Sequence, residues 1–336
     1  MESILLLAHT EADGSLGRPA LEALAAAKNL GGVLHIGLAG AQVQPAADQV
    51  SGAGAARILA VSGEAFGQAR YSTDAAAAEA LCRASGATIV VAPSTSRWSR
   101  ALPGVAFRLS GRVDTHATAL AIQNGVPAVT RWFYRQRMEA VLTRAQRPWI
   151  VLLDAGCVPA WSGVAGTAAV ETLEVAAVET RTTVTGTRSP EAGEQTIRPD
   201  AKLLFVAGAG WTKKQSDCAT HTADAEKLIL DFLRASQASL GGSKSLVDLS
   251  GEGEAVLRFM THLNQIGQTG ATPRHPKGLS TCCHGEEPHA VGWRFVGERR
   301  AVNLDANCGW ARGKADVVYV ADAFAVMREV NSLLEK

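Results

Sequence analysis

Short apolar runs alternate with alanine-rich stretches along the first third of the chain. The apolar runs, each of strand length, lie at residues 4–7, 32–37, 56–60 and 87–92. Residues 19–27 and 73–84 carry alanine and leucine at helical spacing instead. A run that is apolar throughout indicates a strand covered on both faces, as in a parallel sheet flanked by helices. The pattern therefore predicts a βαβα architecture.

The pattern changes between residues 125 and 184. Strand-like segments follow at residues 138–142, 149–153 and 172–178. They could extend the parallel sheet or form an antiparallel addition to it, and the pattern leaves both open. Residues 179–199 are polar, without apolar periodicity, which is typical of an interdomain connector. We therefore predict an N-terminal α/β domain over residues 1–196 and a second domain over residues 202–336.

The second domain starts with the same rhythm. A buried strand is predicted over residues 203–207, and further strands over residues 301–304 and 317–320. Helices are predicted over residues 224–238 and 324–334, with Asp322 as the N-cap of the last one. This order predicts a doubly wound, flavodoxin-like or Rossmann-like domain.

Composition narrows the possible functions. The 336 residues are 47% hydrophobic and 19% charged, which is typical of a globular protein with sizeable cores. The 33 Lys and Arg are balanced by 32 Asp and Glu, which argues against nucleic acid as a partner. No apolar stretch is long enough to cross a bilayer and no signal peptide is evident. With only six cysteines, we expect a cytoplasmic protein with reduced thiols.

Several catalytic and metal-binding motifs can be set aside. No G-x-S-x-G elbow and no P-loop occur, and the G-x-G pair at Gly208 and Gly210 lacks its third glycine, so a tight turn explains it equally well. Cys282-Cys283-His284, near His275 and His289, has metal-ligand chemistry but not the spacing of a zinc site, so we predict no metal site.

Five arginines form a basic stretch interleaved with aromatic residues 132–134. Because the chain is nearly neutral, this segment is interpreted as solvated or facing a protein partner. The arginines are Arg131, Arg135, Arg137, Arg144 and Arg147.

Small and polar residues recur after the strand-like runs of the second domain. Hydroxyl, amide and imidazole groups occur in order at Ser243, Gln268, Ser280, His289 and Asn303. In an open α/β sheet, the ligand crevice lies outside the carboxyl ends of the strands. The order therefore predicts a polar, phosphate-bearing ligand.

The same segments resemble the alpha subunit of electron transfer flavoprotein. The resemblance is specific over residues 203–334 and looser over the first 185 residues. The matching segments are Gly208-Ala209-Gly210-Trp211, Ser243-Lys244-Ser245-Leu246-Val247-Asp248, Gly267-Gln268-Thr269-Gly270, Gly278-Leu279-Ser280 through His289, Ala301-Val302-Asn303-Leu304-Asp305, and Val320-Ala321-Asp322.

The resemblance implies an electron carrier rather than a substrate-converting enzyme. FAD would bind the second domain, and the first would pack on a nucleotide-binding (AMP) beta subunit that works with a flavoprotein dehydrogenase donor. A flavin-free structural subunit of a dehydrogenase complex is the alternative. The implied FAD-contacting residues are Gly210, Ser243, Lys244, Ile266, Gly267, Gln268, Thr269, Ser280, His289, Asn303 and Asp322.

Three departures from the family pattern bear on this site. Gly210 and Lys244 stand where the family has arginines, and next to Gly210 the ring of Trp211 is expected to contribute apolar contact at most. The loop before His289 is longer than in the family, so the family histidine is assigned to His289 rather than His284 by the match that follows it.

Overall fold

The chain forms two compact units. The computed structural model describes residues 2–134, 138–176, 178–186, 197–198, 201–248, 255–266, 274–281, 296–306 and 315–335. The units span Met1–Arg188 and Ser189–Lys336, and each has its own mainly parallel sheet. The prediction of two α/β domains is confirmed. The limits at residues 196 and 202 adjoin residues outside the described ranges and stay a prediction.

The first unit alternates strands and helices before it ends in strands. Its helices are α1 (Arg18–Lys28), α2 (Gln44–Gln49), α3 (Glu64–Gly67), α4 (Tyr71–Ser85) and α5 (Ser96–Arg108). Its strands are β1 (Ser3–His9), β2 (Val33–Gly40), β3 (Arg57–Ser62), β4 (Ile89–Pro93), β5 (Arg112–Gln123), β6 (Val126–Phe133), β7 (Met138–Leu142), β8 (Trp149–Leu153) and β9 (Glu171–Thr172).

These strands form one nine-stranded sheet in the order β7-β6-β5-β8-β4-β1-β2-β3-β9. The pairs from β5 through β8 to β9 are parallel, whereas β5, β6 and β7 pair antiparallel. Residues 149–153 thus extend the parallel sheet, and residues 138–142 belong to an antiparallel addition. The strand predicted over residues 172–178 is wrong in extent, because among the described residues of this segment only Glu171–Thr172 form a strand, paired with β3.

The two faces of β1 pack into separate cores. Ile4, Leu6 and Ala8 pack with α1, while Leu5 and Leu7 pack with the side that α4 and α5 cover. This confirms that an uninterrupted apolar run marks a strand buried on both faces.

A long segment after β8 runs over the α1 and α2 side of the sheet. The backbone amide of Gly156 donates to Glu22 Oε2 at 2.6 Å, and that of Ala168 donates to Asp48 Oδ1 at 2.9 Å. Trp161 packs against the same core before the segment pairs as β9. Polar side chains of two helices therefore hold the segment that ends the unit.

Asp114, a buried carboxylate on β5, joins the parallel and antiparallel parts of the sheet. Its Oδ1 accepts hydrogen bonds from Arg131 on β6 at 2.9 Å and from Arg144 at 2.8 Å. Its Oδ2 accepts from Arg144 Nε and, at 2.9 Å, from the Trp149 indole on β8. Burial alone would raise the pKa of Asp114, but the hydrogen bonds from Arg144 and Trp149 outweigh it and lower that pKa.

This arrangement gives part of the basic stretch a structural role. Arg131 and Arg144 bind Asp114 and Arg147 binds Glu2, but all three side chains stay partly exposed, so the interpretation of a solvated or partner-facing segment stays a prediction. Arg135 and Arg137 lie outside the described residues.

The second unit has a five-stranded, fully parallel sheet in the order β11-β10-β12-β13-β14. This is the 2-1-3-4-5 order of flavodoxin-like doubly wound folds, whose switch point lies between the first and third strands. The strands are β10 (Leu203–Ala207), β11 (Ser239–Gly242), β12 (Lys277–Thr281), β13 (Glu298–Asn303) and β14 (Val317–Val320), and the described helices are α6 (Thr222–Ser236), α7 (Lys244–Asp248) and α8 (Ala323–Leu334).

Helices α6 and α8 cover one face of this sheet. Phe205 of β10 packs on Phe232 of α6, with ring centroids 5.3 Å apart, and Phe324 and Met327 of α8 complete the core. In the part of the chain that the structure describes, no helix is long and apolar enough to span a membrane.

We predict that Asp114→Asn destabilises the protein by about 1–3 kcal/mol, because it removes the buried carboxylate that pairs with the partly exposed guanidiniums of Arg131 and Arg144. Urea unfolding of the full chain measures the loss. The control is Glu171→Gln, which breaks the ion pair with Arg57 between side chains 52% and 40% exposed and should cost at most about 1 kcal/mol. Equal losses in the two variants would contradict the role of Asp114.

The lowered pKa of Asp114 also predicts a pH dependence. The folded state holds this carboxylate ionised, so its contribution to stability is present above the unfolded-state pKa of about 3.9 and is lost as pH falls through the lower folded-state value. The unfolding free energies of wild type and Asp114→Asn should therefore converge as pH falls below about 4. A difference that stays constant down to acid unfolding would contradict this.

Candidate functional site

Five predicted site residues lie at one edge of the second unit's sheet. Gly210 follows β10, Ser243 directly follows β11, Ser280 is the second-last residue of β12, Asn303 ends β13, and Asp322 follows β14. Because the five strands are parallel, their carboxyl ends share one edge. The topology thus brings together residues that are far apart in sequence.

The other predicted residues divide into two groups. Lys244 is exposed at the start of α7, and Ile266 is buried, next to the residue that bridges to the end of β11. Gly267, Gln268, Thr269 and His289 lie outside the described residues, as does the alternative His284.

Ser280 and Ser243 differ in how they are placed. Ser280 was expected in a loop or at a strand end, and it lies one residue before the end of β12, fully buried. Ser243 caps the turn of α7, because its Oγ accepts from the Leu246 amide at 3.2 Å. The Ser243 amide also donates to the Ala207 carbonyl at 3.1 Å, which joins the carboxyl ends of β10 and β11.

Asn303 and Asp322 stabilise the carboxyl ends of β13 and β14. Asp322 is the N-cap of α8, as predicted, and its carboxylate accepts from the amides of Phe324 at 3.3 Å and Ala325 at 3.1 Å. The Asn303 carbonyl accepts from the Ala321 amide at 3.1 Å. A helix of twelve residues therefore starts at this edge with its positive dipole end.

Trp211 and Thr281 form a hydrogen bond at the switch point itself. The Trp211 indole donates to Thr281 Oγ1 at 2.8 Å, and the Thr281 hydroxyl donates to the Val206 carbonyl at 3.3 Å. The Trp211 ring is fully buried, with its centroid 4.6 Å from that of Phe324. Trp211 thus joins β10 to β12 through its N–H, and its expected apolar contact at the ligand stays a prediction.

Sequence reasoning missed this pair for a physical reason. A tryptophan after a strand predicts burial, but its hydrogen-bond partner is 70 residues away and becomes a neighbour only when β10 and β12 pair. The one usable signal was that a buried indole needs an acceptor.

We predict that Trp211 and Thr281 are energetically coupled. Thr281→Val leaves the buried indole N–H without an acceptor and should cost about 1–3 kcal/mol. In a double-mutant cycle with Trp211→Phe, the combined loss should be about 1 kcal/mol smaller than the sum of the single losses. Urea unfolding measures all four proteins.

The matched control is Trp211→Phe combined with Thr88→Val, a threonine of the first unit. Those two losses should add, because the residues belong to different cores. Strict additivity for Trp211 and Thr281 as well would contradict the coupling.

The remaining metal and thiol candidates have structural explanations or lie outside the description. Among the described residues, no three His, Cys, Asp or Glu side chains cluster as metal ligands would. His275 is buried and its Nε2 lies 2.8 Å from the Arg198 carbonyl. Burial raises the pKa of the Cys82 thiol to about 12, so that thiol is inert at neutral pH. Cys282 and Cys283 lie outside the described ranges.

The first unit also has polar groups at its carboxyl edge. A cavity of about 660 Å³ there is lined by Glu11, Glu64 and Arg70, among others. Behind it, Arg97 pairs with buried Asp74 at 2.7 Å, and burial raises the pKa of Asp74 despite that pairing. Burial and the Arg97 charge lower the pKa of His9. Both pKa shifts favour the neutral forms of buried Asp74 and half-buried His9.

Comparison with known proteins identifies the first unit. The family model of the electron transfer flavoprotein domain matches residues 4–178, which is more than half of the chain. No curated protein matches the chain.

Proposed function

Because the chain belongs to the electron transfer flavoprotein family, and so acts in electron transfer, we propose that it is the FAD-binding, alpha-type subunit of such a carrier. The observation that carries this proposal is the shared edge of the second unit. Its five parallel strands bring Gly210, Ser243, Ser280, Asn303 and Asp322 to the place where doubly wound folds bind dinucleotides.

The donors and acceptors at this edge fit FAD. Serine hydroxyls and backbone amides can hydrogen-bond a flavin edge or phosphate oxygens, and the Asp322 carboxylate that caps α8 can accept from adenosine hydroxyls. Lys244 adds a cation at the exposed side. When bound, FAD supplies the electron storage, while the protein supplies binding, orientation and electrostatics.

Each residue would have a distinct role. Ser243 and Lys244 would contact the flavin end, backbone near Ser280 would face the phosphates, and Asn303 and Asp322 would hold the adenosine end. Gly267, Gln268, Thr269, His289 and Ile266 would complete the site. Trp211, held by Thr281, would keep the carboxyl ends of β10 and β12 in register beneath the ligand.

We further propose that the first unit packs on a nucleotide-binding beta subunit and that a flavoprotein dehydrogenase in the cytoplasm donates the electrons. The antiparallel addition supports a partner there, because Val126, Met138 and Val141 are about half exposed and Tyr134 is more exposed still. A flavin-free structural subunit remains the second candidate, favoured by Gly210 and Lys244 where the family has arginines.

We predict that the native protein contains FAD. Protein purified together with its beta subunit should release FAD on denaturation, identified by mass spectrometry. Added FAD should raise the melting temperature of the flavin-depleted complex, because a ligand that binds only the folded state stabilises it, by about 2.7 kcal/mol at 100 times its Kd. Absence of FAD together with an unchanged melting temperature would favour the structural subunit.

A charge substitution tests the placement of FAD. Lys244→Ala should weaken FAD binding roughly tenfold, equivalent to about 1.4 kcal/mol, because it removes a cation beside an anionic ligand. Lys227→Ala, which changes another exposed lysine, on α6, is the matched control and should leave the affinity unchanged. Equal affinities in the two variants would remove Lys244 from the site.

A further inference from the structure

Helices α4 and α5 of the first unit carry two exposed aromatic rings on their outer side. Phe107 is 85% exposed and Tyr71 is 42% exposed. Arg100, Gly104 and Phe107 are four and three residues apart on α5, so they lie on one stripe of that helix. Folding of the chain does not require so large an apolar ring in water at this position.

The backbone of α5 is adapted to this stripe. A Cβ at position 104 would lie 2.0 Å from the Tyr71 hydroxyl, so only a glycine lets the Tyr71 ring lie across α5. Gly104 follows Pro103 inside the helix, and both residues disfavour helix interiors. The helix thus tolerates two unfavourable residues, one of which makes room for an exposed ring.

The charges around the rings are mostly positive. These two fully described helices contain four arginines, Arg83, Arg97, Arg100 and Arg108, against the two carboxylates Asp74 and Glu79.

The two carboxylates do not neutralise the outer surface. Asp74 is buried and pairs with Arg97 at 2.7 Å and, at 3.8 Å, with Arg100. Glu79 is shared between Arg83 at 2.8 Å and Arg108 at 3.4 Å, while the Arg100 side chain is 49% exposed. The Arg108 guanidinium also lies 6.0 Å from the Tyr71 ring centroid.

We propose that this α4–α5 stripe, made of Tyr71, Arg83, Arg100, Phe107 and Arg108, is a docking surface for an acidic protein partner. Phe107 is the apolar anchor, and the guanidiniums are the electrostatic ring that steers and orients the partner. The complementary surface is therefore a carboxylate-rich segment with at least one apolar pocket or aromatic side chain.

The number of exposed positive charges favours a protein over nucleic acid as the partner of this stripe. Three exposed guanidiniums, two of which share Glu79, are fewer than the six to ten phosphate contacts of a typical DNA-binding surface. The whole chain is also nearly neutral, at a formal +1. An acidic polypeptide needs fewer ionic contacts than DNA does when burial of an aromatic anchor such as Phe107 also contributes to binding.

The test uses the full chain and a fluorescently labelled random copolymer of glutamate and tyrosine as the acidic probe. Anisotropy at low salt should show binding. Phe107→Ala should weaken it at least fivefold, and Arg100→Glu combined with Arg108→Glu should weaken it more than tenfold. Gly104→Ala, which displaces Tyr71 without changing any charge, should also weaken it. Its melting temperature should stay close to wild type, which separates docking from folding.

Two matched controls should leave the affinity unchanged. Val164→Ala shortens an apolar side chain that is 83% exposed elsewhere in the same unit. Arg234→Glu reverses the charge of a side chain that is 78% exposed on α6. The proposal would be overturned if the stripe variants bound the probe as tightly as wild type. It would also be overturned if the control variants weakened probe binding as much as the stripe variants do.

Two other outcomes would replace the acidic protein with a different occupant. Tighter binding of a single-stranded oligonucleotide, lost in the same variants, would make the stripe a nucleic-acid surface. Self-association of the wild type in sedimentation, abolished by Phe107→Ala, would make it a contact between two copies of this chain. Neither result depends on whether the second unit holds FAD, so the docking test and the FAD test can fail separately.

Discussion

Parallel strand pairing is the constraint on which the candidate site depends. In the second unit, β10 pairs with both β11 and β12, so the residues that follow or end these strands must meet at one edge. None of Gly210, Ser243 and Ser280 is close to another in sequence. Their proximity follows from the shared strand direction alone, and the hydrogen bond from Trp211 to Thr281 reinforces it at the switch point. A different pairing of β12 would disperse the site although every residue stayed in its own element.

How much the sequence could predict depended on whether a feature is local. The strands over Ser3–His9 and Leu203–Ala207 were predictable because burial on both faces leaves an uninterrupted apolar run. Asp322 as N-cap was predictable because its hydrogen bonds reach only two and three residues ahead. Helix α5 was missed because Pro103 and Gly104 interrupt its pattern, although buried Trp98 and Leu102 hold it against the sheet. The Trp211 to Thr281 bond depends on tertiary pairing and left no local signal.

The charged residues show the same limit, because their ion-pair partners cannot be identified from the local sequence. Arg131, Arg144 and Arg147 form the most prominent basic run in the sequence, yet their carboxylate partners, Asp114 and Glu2, are distant in the chain. Because a buried carboxylate needs donors, the fold uses the positive charges that come nearest when β5 pairs with β6 and β8. These partly exposed arginines thus have structural carboxylate partners that the sequence alone does not indicate.

The two units place their charged and polar groups differently, and this difference is relevant to electron transfer. In the second unit, polar groups converge at a sheet edge where they can hold a ligand whose electrostatics the protein must set. In the first unit, the buried charges Asp114 and Asp74 are compensated inside, which leaves its outer helices free to carry recognition without disturbing the core. Electron carriers must release one partner before meeting another. Exposed guanidiniums around a single aromatic anchor suit that need, because rim charges raise association rates more than they slow dissociation.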